Sequence, residues 1–467
     1  MKKNLSGWSK FRHFDCEVFT PNNFSDVQNF FRQNLRENKV IARGHGCSFG
    51  DQATLTDGVV VDTRNLDKIL NYDKKKRKIV VEAGVRLSDI LTLTLKDDLF
   101  FQSIPGGLDI TVGGAISNNV HGKDCFKNGY FNENVSKINL ILSEGELIES
   151  SKEKNKELFD NIFSSFGLLG FIYSVELDLI EIKSPLLETE TIVVNNKFEM
   201  ENFFQNSSKN SDYLIAWLDC SSKNEKTLRG ICRKAKFIEK DSITNKEREI
   251  YKQKINHSLK KRVKNNFRKN VFNLLWFIIG NTFKSKFFYL FNFCAFNLFK
   301  ILRLKKKNVL INEFTLLHEK YLPEYNNIFK SKGFVGIQPF FNNVKPFDKI
   351  EQVVQLCQKF NILPIWCPIK KYKNIEKKFF QFGGDGYSIV LEYSPHEIGL
   401  EKNKNFIDEL EKLILKQGGK IYLAKDQIIS KEAIKKMYPD YNEFLELKKK
   451  YDKKNLFSSE QFVRLLT

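Results

Sequence analysis

The chain has 467 residues, of which 42% are hydrophobic and 43 are phenylalanine, so two or three domains can share a large apolar core. Its formal net charge of +20 indicates an anionic partner. No helix-turn-helix, RNA-recognition or zinc-finger pattern accompanies the charge, and the heavy use of Lys, Asn, Ile and Phe is what an AT-rich coding bias produces. We therefore expect no nucleic-acid partner, and the charge leaves an anionic lipid surface or a phosphorylated substrate open.

The eight cysteines are dispersed along the chain and include no Cys-x-x-Cys pair. This pattern predicts reduced thiols and no metal site more often than a disulfide framework. The N-terminus carries charged residues without an apolar core behind them, which argues against a secretory signal peptide. Together these features predict a cytoplasmic protein.

Short strands and short helices alternate along the first 180 residues. An amphipathic helix is predicted after Thr20-Pro21, with apolar residues at positions 24, 27, 30, 31 and 35. β-Branched runs and apolar spacing then predict, in chain order, strands at Val40–Arg43, Gly58–Asp62 and Lys78–Ala83, a helix at Leu87–Leu95, a strand at Ile138–Leu142, a helix at Leu158–Phe163 and a strand from Gly167 to Ile180.

Three glycine-bearing loops separate these elements: Gly44–Asp51, Pro105–Asp124 and Gly167–Ile172. Glycine allows positive φ and lets a ligand approach the main chain closely. Thr111-Val-Gly-Gly-Ala-Ile116 predicts the first turn of a helix, whose free N–H groups suit a phosphate. The dinucleotide fingerprint G-x-G-x-x-G and the P-loop pattern are both absent, so these loops are neither Rossmann nor Walker loops.

These loops resemble the FAD-binding domain of the vanillyl-alcohol oxidase/p-cresol methylhydroxylase (PCMH) superfamily. Within it the chain is most similar to the decaprenylphosphoryl-β-D-ribose 2′-oxidase family. The likeness runs from Gly7-Trp8 to Tyr422-Leu-Ala-Lys-Asp426, Met437-Tyr-Pro439 and Leu456-Phe-Ser-Ser459. It implies an α+β fold, with a PCMH-type FAD-binding domain of two α/β subdomains and a substrate domain built on an antiparallel sheet. The implied domains are residues 1–185 for FAD, 186–419 for substrate with an insert at 258–310, and a C-terminal segment, 420–467, that returns to the FAD domain.

The resemblance also implies which residues bind FAD. Many relatives attach the flavin to a histidine just before the loop serine, and here that position is Cys47, so we expect non-covalent FAD. The implied cofactor-binding residues are Ala42, Arg43, Gly44, His45, Gly46, Cys47, Ser48, Phe49, Gly50, Asp51, Gly106, Thr111, Val112, Gly113, Gly114, Asn118, Asn119, Val120, His121, Ile172 and Tyr422.

Two residues are implied in catalysis. Lys425 is the candidate for a fixed cation near the flavin, where reduction places negative charge. His121 titrates near neutrality and lies on the cofactor loop, so it either accepts the substrate proton or hydrogen-bonds the flavin. On sequence alone, Lys425 could equally be a solvated lysine at a strand end. The expected site contains no metal.

The implied substrate residues are Gln338, Lys370, Ser388 and Val390. Two of them depart from the family pattern, because Ser388 replaces an asparagine and Val390 replaces a cysteine, and a pocket glutamine is replaced by Gly336. The polar contacts with the sugar are therefore altered. Lys370 could instead be an ordinary surface lysine beside Lys371.

The insert begins with a basic run, Lys260–Lys269, followed by aromatic-rich runs at Val271–Ile279 and Phe287–Phe299. Neither run reaches the roughly 18 residues that a membrane span requires. The segment is either a buried helical insert with a solvated basic flank or an interfacial segment on anionic lipid at the inner face of the membrane.

Three functions remain open at this stage. The leading one is oxidation of a secondary sugar hydroxyl, the 2′-OH of a polyprenylphosphoryl-ribose-like substrate, to a ketone in cell-envelope glycan synthesis, with an NAD(P)H-dependent keto-reductase acting next. The second is an aldonolactone or alditol oxidase with a soluble substrate and covalent flavin. The third is a basic binding protein without catalysis.

Overall fold

The computed structural model describes residues 1–33, 38–264, 284–302, 306–316, 325–364, 367–374 and 379–467. Leu35 of the predicted first helix and the predicted run Val271–Ile279 lie outside the described residues.

The N-terminal segment forms a four-stranded sheet whose strands are β1 (Lys2–Ser6), β2 (His13–Phe19), β3 (Lys39–Arg43) and β4 (Gly58–Asp62). Its order is β1-β2-β4-β3, and β4 pairs in parallel with both β2 and β3. The buried valines of β4 match the continuous apolar run of a strand covered on both faces. The first glycine loop therefore leaves this sheet at the carboxyl end of β3.

A second, antiparallel sheet has five strands: β5 (Ile69–Asp73), β6 (Lys78–Glu82), β8 (Val135–Ile141), β9 (Leu147–Ser151) and β10 (Phe171–Asp178). Its order is β5-β6-β10-β8-β9. A small two-stranded sheet joins β7 (Leu99–Phe100) to β11 (Ile180–Glu181).

The third sheet is antiparallel and has eight strands: β12 (Leu186–Val194), β13 (Tyr213–Leu218), β14 (Gly230–Phe237), β15 (Lys307–Leu310), β17 (Pro339–Asn342), β18 (Pro368–Tyr372), β19 (Gly386–Ile389) and β21 (Lys420–Ile421). Its order is β15-β12-β14-β13-β18-β19-β17-β21. Beside it, β16 (Val335–Ile337) pairs with β20 (Leu391–Tyr393). The run Ser388–Glu392 is therefore divided between two strands, β19 and β20. The chain passes from one sheet to the other at Val390, whose N–H donates to the carbonyl of Pro368 at 3.1 Å.

The helices cover these sheets and pack their apolar faces against them. In chain order they are α1 (Phe24–Gln33), α2 (Leu87–Thr94), α3 (Val112–Ser117), α4 (Cys125–Asn128), α5 (Lys156–Ile162), α6 (Lys197–Ser207), α7 (Asn245–Lys264), α8 (Lys284–Leu302), α9 (Ile311–Thr315), α10 (Pro346–Lys359), α11 (Pro395–Ile398), α12 (Leu400–Lys416), α13 (Lys431–Met437), α14 (Tyr441–Tyr451) and α15 (Glu460–Leu466).

The C-terminal segment bonds back to the N-terminal sheet. The amide of Val40 donates to the carbonyl of Leu456 at 2.8 Å, and the amide of Ser458 donates to the carbonyl of Val40 at 3.0 Å. On α15, the Arg464 guanidinium lies 2.9 Å from both the Asp51 and Asp426 carboxylates, which are buried. These contacts hold the turn containing Asp426, and hence its neighbour Lys425, against the first glycine loop.

In the described part of the insert, the helical residues are the C-terminal end of α7 and the whole of α8. On α8, Asn292 and Phe296 are buried, and the Phe296 ring lies 4.5 Å from the guanidinium of Arg229, the residue before β14. Other positions of α8 expose large apolar side chains: Tyr289, Leu290, Phe293, Leu298 and Ile301. No helix in the described part of the chain is long and apolar enough to cross a bilayer.

Candidate active site

The first two glycine loops pack directly against each other. A Cβ built on Gly44 would lie 2.2 Å from Thr111 Oγ1, so only glycine fits at position 44. Gly46 has a φ of +67°, which glycine adopts without steric cost. Across the described residues, the backbone amides of His45, Gly46 and Ser48 donate no hydrogen bond. This loop therefore offers unused main-chain donors to an anionic ligand.

The second loop leads into α3, as predicted, and Thr111 caps the helix by accepting from the Gly114 amide at 3.3 Å. The prediction that the first N–H groups of this helix are free is wrong. The amides of Val112 and Gly113 each donate at 2.9 Å, to the carbonyls of Val85 and Ala83. The residues just after β6 thus accept the hydrogen bonds from these two amides. The unused amides of the first glycine loop are therefore the main-chain donors that remain for an anion.

After α3, the second glycine loop (Pro105–Asp124), which we call the cofactor loop, carries buried polar atoms without a hydrogen-bond partner among the described residues. In the described part of the chain, Asn118 Oδ1, Asn119 Nδ2 and His121 Nδ1 make no hydrogen bond. Tyr422 closes this region, because its hydroxyl donates to the Asn118 carbonyl at 3.0 Å and its ring centre lies 4.9 Å from that of His121. Unpaired buried polar atoms are costly unless a ligand satisfies them. A polar, planar ring bordered by these residues fits that requirement.

Some predicted cofactor residues use their polar groups within the protein. Arg43 donates to the carbonyls of Ser6 at 2.7 Å and Ala53 at 3.1 Å, and burial lowers the pKa of its guanidinium. Asp51 is bonded to Arg464. These contacts hold the first loop in place. Both the Arg43 guanidinium and the Asp51 carboxylate are therefore bonded to protein groups.

The remaining predicted cofactor residues line the same region by backbone or apolar contact. Cys47 Sγ lies 3.6 Å from the Asp109 carbonyl, and His45 is exposed. Ala42 ends β3, and Ile172 is buried in β10. The others, Phe49, Gly50, Gly106 and Val120, lie on the loops around them.

A compact polar cluster lies beside the cofactor loop, formed by His121, Gln338, Tyr372 and Ser388, all of them buried. The Tyr372 hydroxyl lies 3.0 Å from His121 Nε2 and 2.9 Å from Ser388 Oγ. Gln338 Nε2 donates to Tyr372 Oη at 2.8 Å and to Ser388 Oγ at 3.0 Å. Two predicted substrate residues and the predicted catalytic histidine therefore meet at one point.

Burial sets the ionisation of this cluster. The pKa of His121 is lowered well below its ordinary value, first by burial and then by the charges of Lys370 and Lys425. Burial also raises the pKa of the Tyr372 hydroxyl well above its ordinary value. The imidazole is therefore neutral at physiological pH, and it can accept a proton or a hydrogen bond.

Two lysines and an acid lie around the cluster. Lys370 is half-buried on β18, and its pKa is lowered by burial and by the nearby Lys425. Asp124, fully buried after the cofactor loop, has its pKa raised by burial to about 7. Lys370 is thus not an ordinary surface lysine.

Lys425 is held by an acid that the sequence did not reveal. Its Nζ lies 2.9 Å from Glu392 Oε1, and Glu392 Oε2 accepts from the Tyr325 hydroxyl at 2.7 Å. The same Nζ lies 3.9 Å from the centre of the Phe49 ring in the first glycine loop. The predicted cation is thus positioned between that loop and the substrate strands.

The chain matches known proteins along its whole length. Residues 17–151 match the FAD binding domain family, and residues 384–465 match the D-arabinono-1,4-lactone oxidase family. Decaprenylphosphoryl-beta-D-ribose oxidase of Mycolicibacterium smegmatis is 25% identical over 475 residues, covering 99% of this chain and 97% of the relative. The chain is an FAD-dependent oxidoreductase.

Partial matches agree with this assignment. L-gulonolactone oxidase of Mus musculus is 26% identical over 46% of this chain and 48% of its own length. Cytokinin dehydrogenase 2 of Arabidopsis thaliana is 35% identical over 29% of this chain and 26% of its own length. The predicted α+β fold and the predicted FAD cofactor are confirmed by these families and by the sheets described above.

The residues present fit FAD. The first glycine loop supplies unused amides for a pyrophosphate, and Asn118, Asn119 and His121 supply polar atoms for the flavin ring. When bound, FAD supplies hydride acceptance, and the protein orients the substrate and manages the proton.

The sequence missed Tyr372, Glu392 and Tyr325. A usable signal existed for Tyr372, because alternate residues of a strand share a face and Tyr372 lies two positions after Lys370 in β18. Glu392 follows the strand break at Val390, so alternation did not indicate it. Tyr325 carried no comparable signal.

Proposed function

We propose that this oxidoreductase oxidises the 2′-hydroxyl of a polyprenylphosphoryl-ribose-like substrate to a ketone. The observation that carries the proposal is the buried cluster of His121, Gln338, Tyr372 and Ser388 beside the flavin region. The relative named for decaprenylphosphoryl-β-D-ribose supports the substrate class, because the likeness covers nearly the full length of both chains.

In this proposal the chain contributes positioning, a proton acceptor and fixed charge. Gln338 and Ser388 orient the sugar, and the neutral His121 ring accepts the hydroxyl proton or hydrogen-bonds the flavin. Lys425 lies where reduction develops negative charge. Lys370 receives the phosphate, and an anion there would offset the cost of a half-buried ammonium beside a second lysine. Val390 provides an apolar wall.

A lipid-linked substrate requires access to a membrane, and we assign this role to the outer face of α8. That face exposes Leu290 and Phe293 at 57% and 48%, which is unusual for a helix in water. Lys254 and Lys260 of α7 are also exposed, and the chain has a charge of +20. Aromatic insertion with nearby lysines suits the anionic inner surface of a membrane. The rest of the predicted basic run, from residue 265 onward, lies outside the described residues.

Liposome sedimentation tests this surface. Binding to anionic vesicles should weaken with salt and should be lost in Leu290→Asp/Phe293→Asp. Phe198→Asp, a matched change at a side chain 70% exposed on α6, should bind like the parent. Equal sedimentation of both variants would contradict the assignment.

The product of this reaction is a ketone on a lipid-linked sugar. If the pathway inverts the 2′ centre for cell-envelope glycan synthesis, this ketone must next be reduced, and an NAD(P)H-dependent keto-reductase catalyses that class of reaction.

An aldonolactone or alditol oxidase is the second candidate. It is favoured by the match of residues 384–465, which contain Lys425 and Glu392, to the D-arabinono-1,4-lactone oxidase family. The two candidates differ in the substrate that reduces the flavin.

Anaerobic bleaching of the flavin absorbance decides between them. A polyprenylphosphoryl-ribose should bleach the oxidised band within one turnover, whereas L-gulono-1,4-lactone and D-arabinono-1,4-lactone should not. Bleaching by a lactone alone would establish the second candidate. If neither class of substrate reduces the flavin, while dithionite does, both proposals are wrong.

A further inference from the structure

Two buried thiols face each other in the large sheet, away from the flavin loops. Cys220 Sγ and Cys367 Sγ lie 2.8 Å apart, although the residues are 147 positions apart in the chain. Both side chains are 1% exposed. Neither residue takes part in the cluster around His121.

The backbone fixes this approach. Cys220 follows β13 and Cys367 precedes β18, two strands that pair in antiparallel register at Trp217 and Pro368. The Leu218 amide donates to the Cys367 carbonyl at 3.1 Å. On the other side, Gln358 Nε2 donates to the Cys220 carbonyl at 2.9 Å. The pair is therefore positioned by the ends of two paired strands and by the hydrogen bond from Gln358.

We propose that Cys220 and Cys367 are a redox-active dithiol that closes to a disulfide under hydrogen peroxide. A disulfide has an S–S length of about 2.05 Å, so closure requires the two sulfurs to move together by less than about 1 Å. This proposal is independent of the substrate assigned above.

The chemistry balances in two steps. The thiolate of one cysteine attacks hydrogen peroxide, which gives a sulfenic acid and hydroxide. The second thiol then displaces the hydroxyl from the sulfenic sulfur, forming the S–S bond and water. Overall, two thiols lose two hydrogens, and one peroxide is reduced to two waters.

Burial affects how fast the pair can close. It raises the pKa of the Cys367 thiol well above its ordinary value, with the Cys220 contact as the next cause. Closure is therefore slow at neutral pH and faster at alkaline pH, because the thiolate is the nucleophile. Cys367 lies three positions before Lys370, so the bond would join β13 to the start of the strand that carries this lysine.

Differential alkylation of the full-length holoenzyme tests the proposal. The protein is treated with excess peroxide and denatured in the presence of a first maleimide. One half is then digested with trypsin without reduction, to detect cross-linked peptides, and the other half is reduced, labelled with a second maleimide and digested. The digestion separates the candidates, because Cys220, Cys357 and Cys367 fall in the peptides 210–223, 350–359 and 360–370.

We expect two of the eight cysteines to take only the second label, and a cross-linked peptide that joins 210–223 to 360–370. Cys220→Ser or Cys367→Ser should abolish that cross-link. Cys232→Ser, a matched change at another buried thiol, should retain it. First-label modification of all eight cysteines, or a cross-link through 350–359, would overturn the proposal.

Discussion

Lys425 Nζ lies 2.9 Å from the Glu392 carboxylate, and this contact joins the C-terminal turn to the substrate strands. The Glu392 side chain is almost fully buried, and its second oxygen accepts from Tyr325. A buried, hydrogen-bonded pair of this kind gives the ammonium one fixed position. The cation proposed to face the flavin is thus oriented before substrate arrives.

Replacement of Lys425 by alanine should slow flavin reduction by about 10²–10³-fold, because one preorganised charge at developing charge is commonly worth that much. Lys425→Arg should recover only part of the rate, since its fork has a different reach. Single-turnover bleaching at saturating substrate measures both. If the rate of flavin reduction falls by less than about threefold, Lys425 has no catalytic role.

Glu392→Gln should keep the size of the side chain but remove the counter-charge of Lys425. We expect the limiting rate of flavin reduction to fall about tenfold, or about 1.4 kcal/mol, with little change in KM. Glu411→Gln is the matched control, because Glu411 is also a buried acid and, among the described residues, its carboxylate accepts hydrogen bonds from Ser430 alone.

The double variant Lys425→Ala/Glu392→Gln separates positioning from simple structure. If the two residues act as a unit, the second change should add little to the first. Additive losses would show that Glu392 acts independently of Lys425.

The flavin should leave the protein on acid precipitation. Cys47 occupies the expected attachment position, where its sulfur contacts the Asp109 carbonyl. The yellow colour should therefore remain in the supernatant. Fluorescence retained on the denatured band in a gel would indicate a covalent bond, and Cys47→Ala and His45→Ala would then locate it.

Local sequence motifs were sufficient to predict part of the site. The glycine loops, the helix that starts after Thr111 and the order of several short strands follow from residue type and spacing. The resemblance then placed Lys425, His121 and Gln338 in one site, and the structure brings His121 and Gln338 together.

Other features depend on tertiary contacts that local patterns do not record. The amides of Val112 and Gly113 were expected to be free, but they bond carbonyls about 30 residues earlier in the chain. The pairing of Lys425 with Glu392 crosses 33 positions, and no spacing rule links them. The strand break at Val390 occurs inside a continuous β-branched and apolar run.

Asp124 gives the protein a specific pH dependence of stability. Burial raises its pKa from 3.8 to about 7, and the charged Lys370 lowers it only in part. Two more of its ionisable neighbours are Cys125, on the following helix, and Tyr213, on β13, and burial holds both of these in their neutral forms. In the folded protein the carboxyl therefore titrates near neutral pH and is protonated at acidic pH.

The sign of the effect follows from proton uptake. Between pH 3.8 and about 7 the unfolded chain loses this proton while the folded protein keeps it, so rising pH favours unfolding. The free energy of unfolding falls by up to about 1.4 kcal/mol per pH unit in this range, and it falls no further above the folded pKa. Asp124→Asn cannot ionise and keeps a carbonyl acceptor for the Ile104 amide. We therefore expect it to gain stability relative to the parent across this window, with no further gain at higher pH.

Urea unfolding of the holoenzyme at a series of pH values from about 4 to about 8 measures this difference. His121→Gln provides an internal reference with the opposite sign. The pKa of His121 is lowered in the folded protein, so the parent loses stability as pH falls below 6.5, the ordinary value for histidine. The stability of His121→Gln relative to the parent should thus rise toward low pH, whereas that of Asp124→Asn should rise toward neutral pH. A difference for Asp124→Asn that stays constant over the whole range would mean that this carboxyl is already ionised in the folded protein.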